Sequence, residues 1–224
     1  METTKNTTTS LQSTLDAKKA DFNTSATDEK KKLYAEGIAA VKSSGVETSA
    51  KQVGDRAPDF KLKNASNKEV ALADYLKDGP VILTWYRGGW CPYCNITLNR
   101  LQTELPSFKA EGANLLALTP ELPDKSMTTK EKNKLEFEVL SDVGNKIAKA
   151  YGVVYRLTKE LAESYQTGFD LHAYNGDSSD ELPLAATYII NQKGVIVYAF
   201  LDAEYRNRAE PKDIIKVLKS LKTK

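Results

Sequence analysis

Apolar residues change their spacing several times along the chain, and each change marks an element. Near the start, Leu11, Leu15 and Phe22 recur at helical spacing behind Ser10, a side chain suited to capping a helix N-terminus. A second helical stretch follows Thr27 and carries Tyr34, Ile38 and Val41 on one face, with Gly37 inside it and Gly45 near its end. Two short amphipathic helices bury little by themselves. They are expected to pack on the rest of the chain or on a second subunit, with a plain solubilising extension as the alternative. The Thr-rich residues 1–9 before them read as disordered.

The pattern changes at Val53. Gly54-Asp55-Arg56-Ala57-Pro58 is turn chemistry, and Asp59 to Lys63 alternates polar with apolar, as a half-buried strand does. Val81 to Tyr86, after Pro80, is a mostly apolar run that predicts a central strand covered on both faces. Ile96, Leu98, Leu101 and Leu105 then predict a helix that Pro106 kinks or breaks. Further strands are predicted at Asn114–Leu118 and Glu138–Leu140, with an exposed helix over 121–134 between them. A helix over Asp142–Tyr151 carries Val143, Ile147 and Ala150. Leu157 to Tyr165 reads as helical and Gly168 to Pro183 as a polar loop, so 155–183 has the look of a functional insertion. Thr187–Ile190 and Val195–Phe200 flank a turn at Asn191-Gln-Lys-Gly194 and predict a hairpin. Pro211 opens a last helix with Ile214, Ile215, Leu218 and Leu221 on its apolar face. Strands alternating with helices, then a hairpin and a terminal helix, predict an α/β fold: a sheet of mixed direction flanked by helices. The division is an N-terminal helical extension, 1–50, and a main domain, 51–224.

Charge and composition narrow the function. The net charge is +2 from 32 basic and 30 acidic residues with no basic stripe, which argues against nucleic acid as a partner. The runs Asp28–Lys32 and Lys130–Lys134 read as solvated helix faces. No apolar stretch follows the first residues as in a secretory leader, and none approaches the roughly 20 residues of a membrane span. A cytoplasmic location, with no membrane contact, is the expectation.

The two cysteines, Cys91 and Cys94, stand three positions apart where the central strand gives way to a helix. Gly88 and Gly89 let the chain turn, and Pro92 suits the first helical turn. Unpaired N–H groups and the positive end of the helix dipole favour a thiolate there. The pair can close a disulfide, as expected of a C-x-x-C in a βαβ setting. On position alone, Cys91 should be the more exposed and more reactive thiol. A metal site is not expected: zinc needs four ligands, and the one histidine, His172, lies far off in a polar stretch where it reads as a surface or hinge residue. Arg87 stands four residues before Cys91, placed either to lower its pKa or to pair with a surface carboxylate. Trp85 and Trp90 read as packing residues, Trp90 also as a shield over the thiol. No cofactor is called for.

Several stretches resemble the alkyl hydroperoxide reductase and thiol-specific antioxidant family, the peroxiredoxins, which have a thioredoxin-like fold. They are Val53-Gly-Asp-Arg-Ala-Pro-Asp-Phe60, Pro80–Tyr86 and Ala186-Thr-Tyr-Ile-Ile-Asn-Gln-Lys-Gly194. Tyr205-Arg-Asn-Arg-Ala-Glu-Pro211, together with Cys-Pro-Tyr-Cys, resembles a peroxiredoxin-like subgroup. The likeness spans about residues 50–222. The family motif Pro-x-x-x-Thr/Ser-x-x-Cys ends on the peroxidatic cysteine, which falls on Cys94. Its Thr position falls on Cys91 and its Pro position on Arg87. The family's activating arginine falls on Ala185, with Arg87 or Arg156 as substitutes. Trp90-Cys-Pro-Tyr-Cys94 also resembles the thioredoxin and glutaredoxin site, but the cis-proline of those proteins falls on Ala186.

The resemblance implies a thiol-dependent peroxidase acting on hydrogen peroxide or small organic hydroperoxides. Cys94 would be peroxidatic and Cys91 resolving, a thioredoxin- or glutathione-like donor would reduce the disulfide, and the protein would form a homodimer. A thiol–disulfide oxidoreductase and a non-enzymatic redox sensor or binding module are the alternatives.

Overall fold

A computed structural model describes residues 9–222. The expectation of disorder for residues 1–8 lies outside them. Thr9 is anchored, its carbonyl accepting from Arg100 Nη1 at 2.7 Å.

Helix α1, Leu11–Ser25, begins at Ser10, whose hydroxyl accepts from the Ser13 N–H, and α2, Asp28–Ser43, begins at Thr27 in the same way. Both caps satisfy N–H groups that the first turn leaves free. Leu11 and Leu15 are fully buried, and Glu210 accepts from the Gln12 N–H at 2.7 Å. Each leucine contributes about 1.5–3 kcal/mol by leaving water. The N-terminal helices therefore pack on the rest of the same chain. Gly37 is buried where α2 meets Leu161, so closely that a Cβ would run into that side chain. A short helix, α3, Val46–Ser49, follows.

The main sheet has seven strands in the order β2-β1-β5-β4-β3-β8-β9. They are β1 Lys61–Asn64, β2 Glu69–Ala71, β3 Val81–Trp85, β4 Asn114–Thr119, β5 Glu138–Ser141, β8 Thr187–Ile190 and β9 Ile196–Phe200. β3 runs parallel to β4 and antiparallel to β8, and β4 runs parallel to β5. The sheet is thus mixed, and every residue of β3 is buried, as its apolar run predicts. One face packs against α5, Pro92–Ala110, and α10, Pro211–Lys222, through Leu98, Phe108, Ile214 and Leu218. The other face is covered by α4, Leu72–Asp78, α7, Lys146–Ala150, and α8, Lys159–Phe169. No described helix is long and apolar enough to cross a membrane. Gly54, Asp55 and Ala57 bond to the β9 hairpin, which fixes the segment before β1.

Four expectations need correction. α5 runs through Pro106 to Ala110. Pro106 lies on the solvent side, where water replaces the lost donor, while buried Leu105 and Phe108 hold the helix in place. The helix expected from Asp142 starts only at Lys146, because the Asp142 carboxylate accepts from the N–H groups of Ile147 and Ala148 and Asn145 is left-handed. Ala148 is its buried residue and Ala150 is exposed. The exposed helix of 121–134 is α6, Pro123–Lys132, and it buries Ser126 and Thr129. The helix expected within Leu157–Tyr165 is found as α8, but Gly168–Pro183 is not the expected loop. β6, Val154–Arg156, pairs with β7, Glu181–Pro183, and between them lie α8 and α9, Leu171–Asn175. The polar composition hid this unit, which buries Leu161, Tyr165, Leu171 and Leu182.

Candidate active site

The site forms where β3 ends and α5 begins, outside the carboxyl end of a central parallel strand. Gly88 and Gly89 make the turn at close quarters. A Cβ on Gly88 would strike the Trp90 ring, and one on Gly89 would strike Thr129 Oγ1. Cys91 is the N-cap residue of α5 and Cys94 stands in its first turn. Both thiols are free. Both are buried, Cys91 1% exposed and Cys94 0%, so the expected difference in exposure is slight. Tyr34, Trp90 and Tyr165 pack against one another over this end of the helix.

Two buried arginines flank the pair. Arg87 Nη1 lies 4.0 Å from Cys91 Sγ, and Nη2 donates to the Tyr165 hydroxyl at 2.7 Å. Its guanidinium sits over the Tyr205 ring at 4.2 Å and the Trp90 ring at 5.0 Å. Of the two readings of Arg87, the structure places it beside the thiol and not on a surface carboxylate. Arg208 Nη2 donates to Cys94 Sγ at 3.6 Å, and Nη1 donates to the Asn207 carbonyl. Among the described residues neither arginine has a carboxylate partner. A buried cation without a counter-ion is costly, so a negative sulfur between the two is the favoured state.

The two sulfurs titrate in opposite directions. Burial pushes the Cys91 thiol well up, and its hydrogen bond to Cys94 pushes it further. Burial also resists ionisation of Cys94. The Cys91 hydrogen bond and the charges of Arg208 and Arg87 outweigh it and hold Cys94 well below the usual thiol range. The directions favour Cys94, in the first turn of the helix, as the thiolate and Cys91 as the thiol. Helix position alone favours Cys91 as the reactive thiol; the contact of Arg208 with Cys94 and the interaction of the two sulfurs point to Cys94.

Glu121, just past the end of β4, is fully buried beneath the same turn. Its Oε1 accepts from the Gly89 N–H at 2.9 Å, and Oε2 has no hydrogen-bond partner. Burial raises its carboxyl to about 7, and the charge on Cys94 adds to the rise while the Gly89 bond opposes it. The Tyr86 hydroxyl lies close enough to act on it electrostatically but outside hydrogen-bond geometry.

A cavity of about 260 Å³ opens beside Cys91. Aromatic rings wall it: Trp90 and Tyr93 from the motif, Tyr165 and Phe169 from α8, Phe22 and Tyr34 from the N-terminal helices. Trp90 stacks on Phe169 with centroids 4.5 Å apart. Lys30 and Arg87 also line the cavity; Cys94 does not. Trp85 lies away from it, packed on Tyr151 and Tyr188 in the core.

Of the residues singled out in the sequence, Cys91, Cys94, Arg87 and Trp90 come together. Arg156 does not: it is exposed and pairs with Glu181. His172 does not either, its Nε2 lying 2.8 Å from Asp180 Oδ1 near the surface. Sequence reasoning missed Arg208 and Glu121. Arg208 had a signal, since it lies inside the Tyr205–Pro211 segment that carries the subgroup resemblance. Glu121 had none beyond an acidic residue directly after an apolar strand.

Comparison with known proteins bears on the family and the fold. The family model described as "AhpC/TSA family" matches residues 53–199, well over half of the 224-residue chain. Chloroplastic peroxiredoxin Q of Oryza sativa subsp. japonica is 27% identical over 172 residues, covering 75% of this chain and 67% of the relative. Its counterpart from Populus jackii is 27% identical over 172 residues, covering 75% and 68%. Among solved structures, peroxidoxin BcpB of Mycobacterium tuberculosis aligns with a TM-score of 0.60 at 17% identity, covering 76% of this chain and 97% of its own. A Xylella fastidiosa PrxQ mutant aligns with a TM-score of 0.61 at 16% identity, covering 76% and 97%. At these identities the structures speak for the fold alone, which is the thioredoxin-like one. From the family match and the shared fold, the chain belongs to the AhpC/TSA family, the peroxiredoxins.

Proposed function

We propose that the protein is a thiol-dependent peroxidase that reduces hydrogen peroxide or small organic hydroperoxides through Cys94 and Cys91. The observation that carries the reading is the contact of Arg208 Nη2 with Cys94 Sγ at 3.6 Å, a buried guanidinium on a buried sulfur. Arg208 does for Cys94 what an arginine at the Ala185 position would do in the family pattern. The Cys94 thiolate attacks a peroxide oxygen, the O–O bond breaks, and the leaving oxygen takes a proton to depart as alcohol or water. Cys94 is then a sulfenic acid. The Cys91 thiol attacks that sulfur, the S–S bond forms, and water leaves with the thiol proton. A thioredoxin- or glutathione-like donor returns the two electrons. The names of the peroxiredoxin Q relatives support the peroxide substrate. Two cysteines only three positions apart, with none left to staple distant parts of the fold, support a reducing compartment such as the cytoplasm. The family resemblance carries a homodimer into the proposal, to be seen as a doubled mass in sedimentation.

The cavity favours a second reading. It reaches Cys91 and not Cys94, as suits a thiol–disulfide oxidoreductase that forms its mixed disulfide on Cys91. Reduced Cys91→Ser and Cys94→Ser variants, mixed with stoichiometric hydrogen peroxide and a sulfenic-acid trap, decide between them by intact mass. The peroxidase reading expects Cys91→Ser to form the trapped adduct far faster than free cysteine at the same pH. Adduct in Cys94→Ser alone reverses the roles. Rates no better than free cysteine in both, with rapid reduction of insulin disulfides by the wild type, select the oxidoreductase.

A further inference from the structure

Glu121 has no part in the electron transfers above, yet it is the buried carboxyl nearest to them in the charge balance. No lysine or arginine pairs with it among the described residues, and one of its oxygens is unpartnered. A hydrogen bond joins its carboxyl to the Gly89 N–H, in the turn just before Cys91, and Tyr86 from the end of β3, Thr119 from β4 and the Cys94 sulfur from α5 are near enough to act on it electrostatically. Tyr86 is uncharged at neutral pH because burial raises its phenol further. The one negative group that Glu121 meets is therefore the Cys94 thiolate. Two negative charges in one dry pocket repel, so the pair settles with a single proton between them. Arg208 lies against the Cys94 sulfur and favours the negative charge there. The proton goes to the carboxyl.

We propose that Glu121 is a redox-linked proton store, protonated while Cys94 is a thiolate and ionised when Cys94 is held in the Cys91–Cys94 disulfide. The inference rests on the dithiol cycle proposed above but not on peroxide as its oxidant. When a dithiol donor reduces the disulfide, the S–S bond breaks and the donor gives up two electrons and two protons. One proton ends on Cys91. Cys94 stays a thiolate, and the second proton goes to Glu121. When the thiolate is spent on a peroxide, the leaving oxygen needs one proton, and the loss of charge at Cys94 frees the one on Glu121. Glu121 acts through Cys94, as a positioning residue for a proton.

The test is infrared difference spectroscopy on the full chain near neutral pH, reduced with dithiothreitol and then oxidised to the disulfide with diamide. Reduction of the wild type is expected to add a protonated-carboxyl C=O band, and Glu121→Gln, which keeps an oxygen for the Gly89 N–H, is expected to lack it. In Glu121→Gln the ultraviolet thiolate midpoint should stay at its wild-type pH, because a neutral amide replaces a carboxyl that is already neutral when Cys94 ionises. A wild-type spectrum with no carboxyl change, or a band that survives in Glu121→Gln, overturns the proposal. Diamide forms the disulfide without peroxide, so a protein that fails as a peroxidase still tests the proton store. Failure to form the intramolecular disulfide overturns both readings.

Discussion

Cys91 and Cys94 share one turn of one helix, are almost equally buried, and differ in everything else. Cys91 faces an aromatic cavity walled partly by the N-terminal helices, with Arg87 held at 4.0 Å by Tyr165 and the rings around it. Cys94 faces inward to Arg208 at 3.6 Å, with Glu121 in the same pocket. Burial raises both thiols and both arginines oppose it at each, yet the balance falls on opposite sides, because the interaction between the two sulfurs raises Cys91, which keeps its proton, and lowers Cys94, on which Arg208 lies. Position at a helix N-terminus is worth about 0.3–1 kcal/mol. A charged side chain within a few Å shifts a pKa by about 1–3 units, roughly 1.4–4 kcal/mol. The second effect is the larger, so the tertiary neighbour and not the helix decides which sulfur is ionised.

The strongest way to break this contrast is Arg208→Met. It should raise the Cys94 pKa and cut the thiolate-to-thiol ratio about 10- to 1000-fold at a pH below the midpoint, read from thiolate absorbance and the pH profile of alkylation. A stability consequence follows. The Cys94 pKa in the folded reduced protein lies below the ordinary 9.0, so the native state gives up its proton first. Stability of the reduced form rises with pH through the window between the folded value and about 9, and is lost as pH falls through the folded value. Denaturant titration of the disulfide form should lack this slope, and Arg208→Met should narrow the window. An unchanged slope in the variant would remove Arg208 from the account.

Phe22→Ala probes the other side and should do less. It removes a ring that packs on Tyr34 at 5.4 Å and opens the cavity wall. The expected loss is about 0.5–1.5 kcal/mol beyond the buried area, with faster alkylation of Cys91 by a bulky maleimide and no movement of the Cys94 midpoint. A midpoint that moved would show that the two sides are not separable. Arg156→Ala is the smallest. It breaks an exposed pair with Glu181, should change stability by less than about 0.5 kcal/mol, and should leave both thiols as they were.

Local signals were legible where local physics decides. Ser10 and Thr27 cap their helices because a hydroxyl in that position meets free N–H groups. The apolar run of Val81–Trp85 is a doubly covered strand because only a buried strand tolerates that composition. Pro106 misled because its effect depends on which way its side of the helix faces, and that is set by Phe108 packing under the sheet. The stretch 155–183 misled for a similar reason: its few apolar residues, Leu161, Tyr165, Leu171 and Leu182, converge only once β6 and β7 pair.

By itself the sequence determined that a dithiol stands at the junction of a buried strand and a helix, since that placement depends on neighbours within a few residues. Arg87 was visible for the same reason, four residues from Cys91. Only the tertiary structure decided which sulfur carries the charge. Arg208 reaches Cys94 across 114 positions of sequence, Tyr165 reaches Arg87 across 78, and Glu121 arrives from the next strand. Electrostatic interactions act through space and strengthen where water is excluded, and chain order carries no record of either.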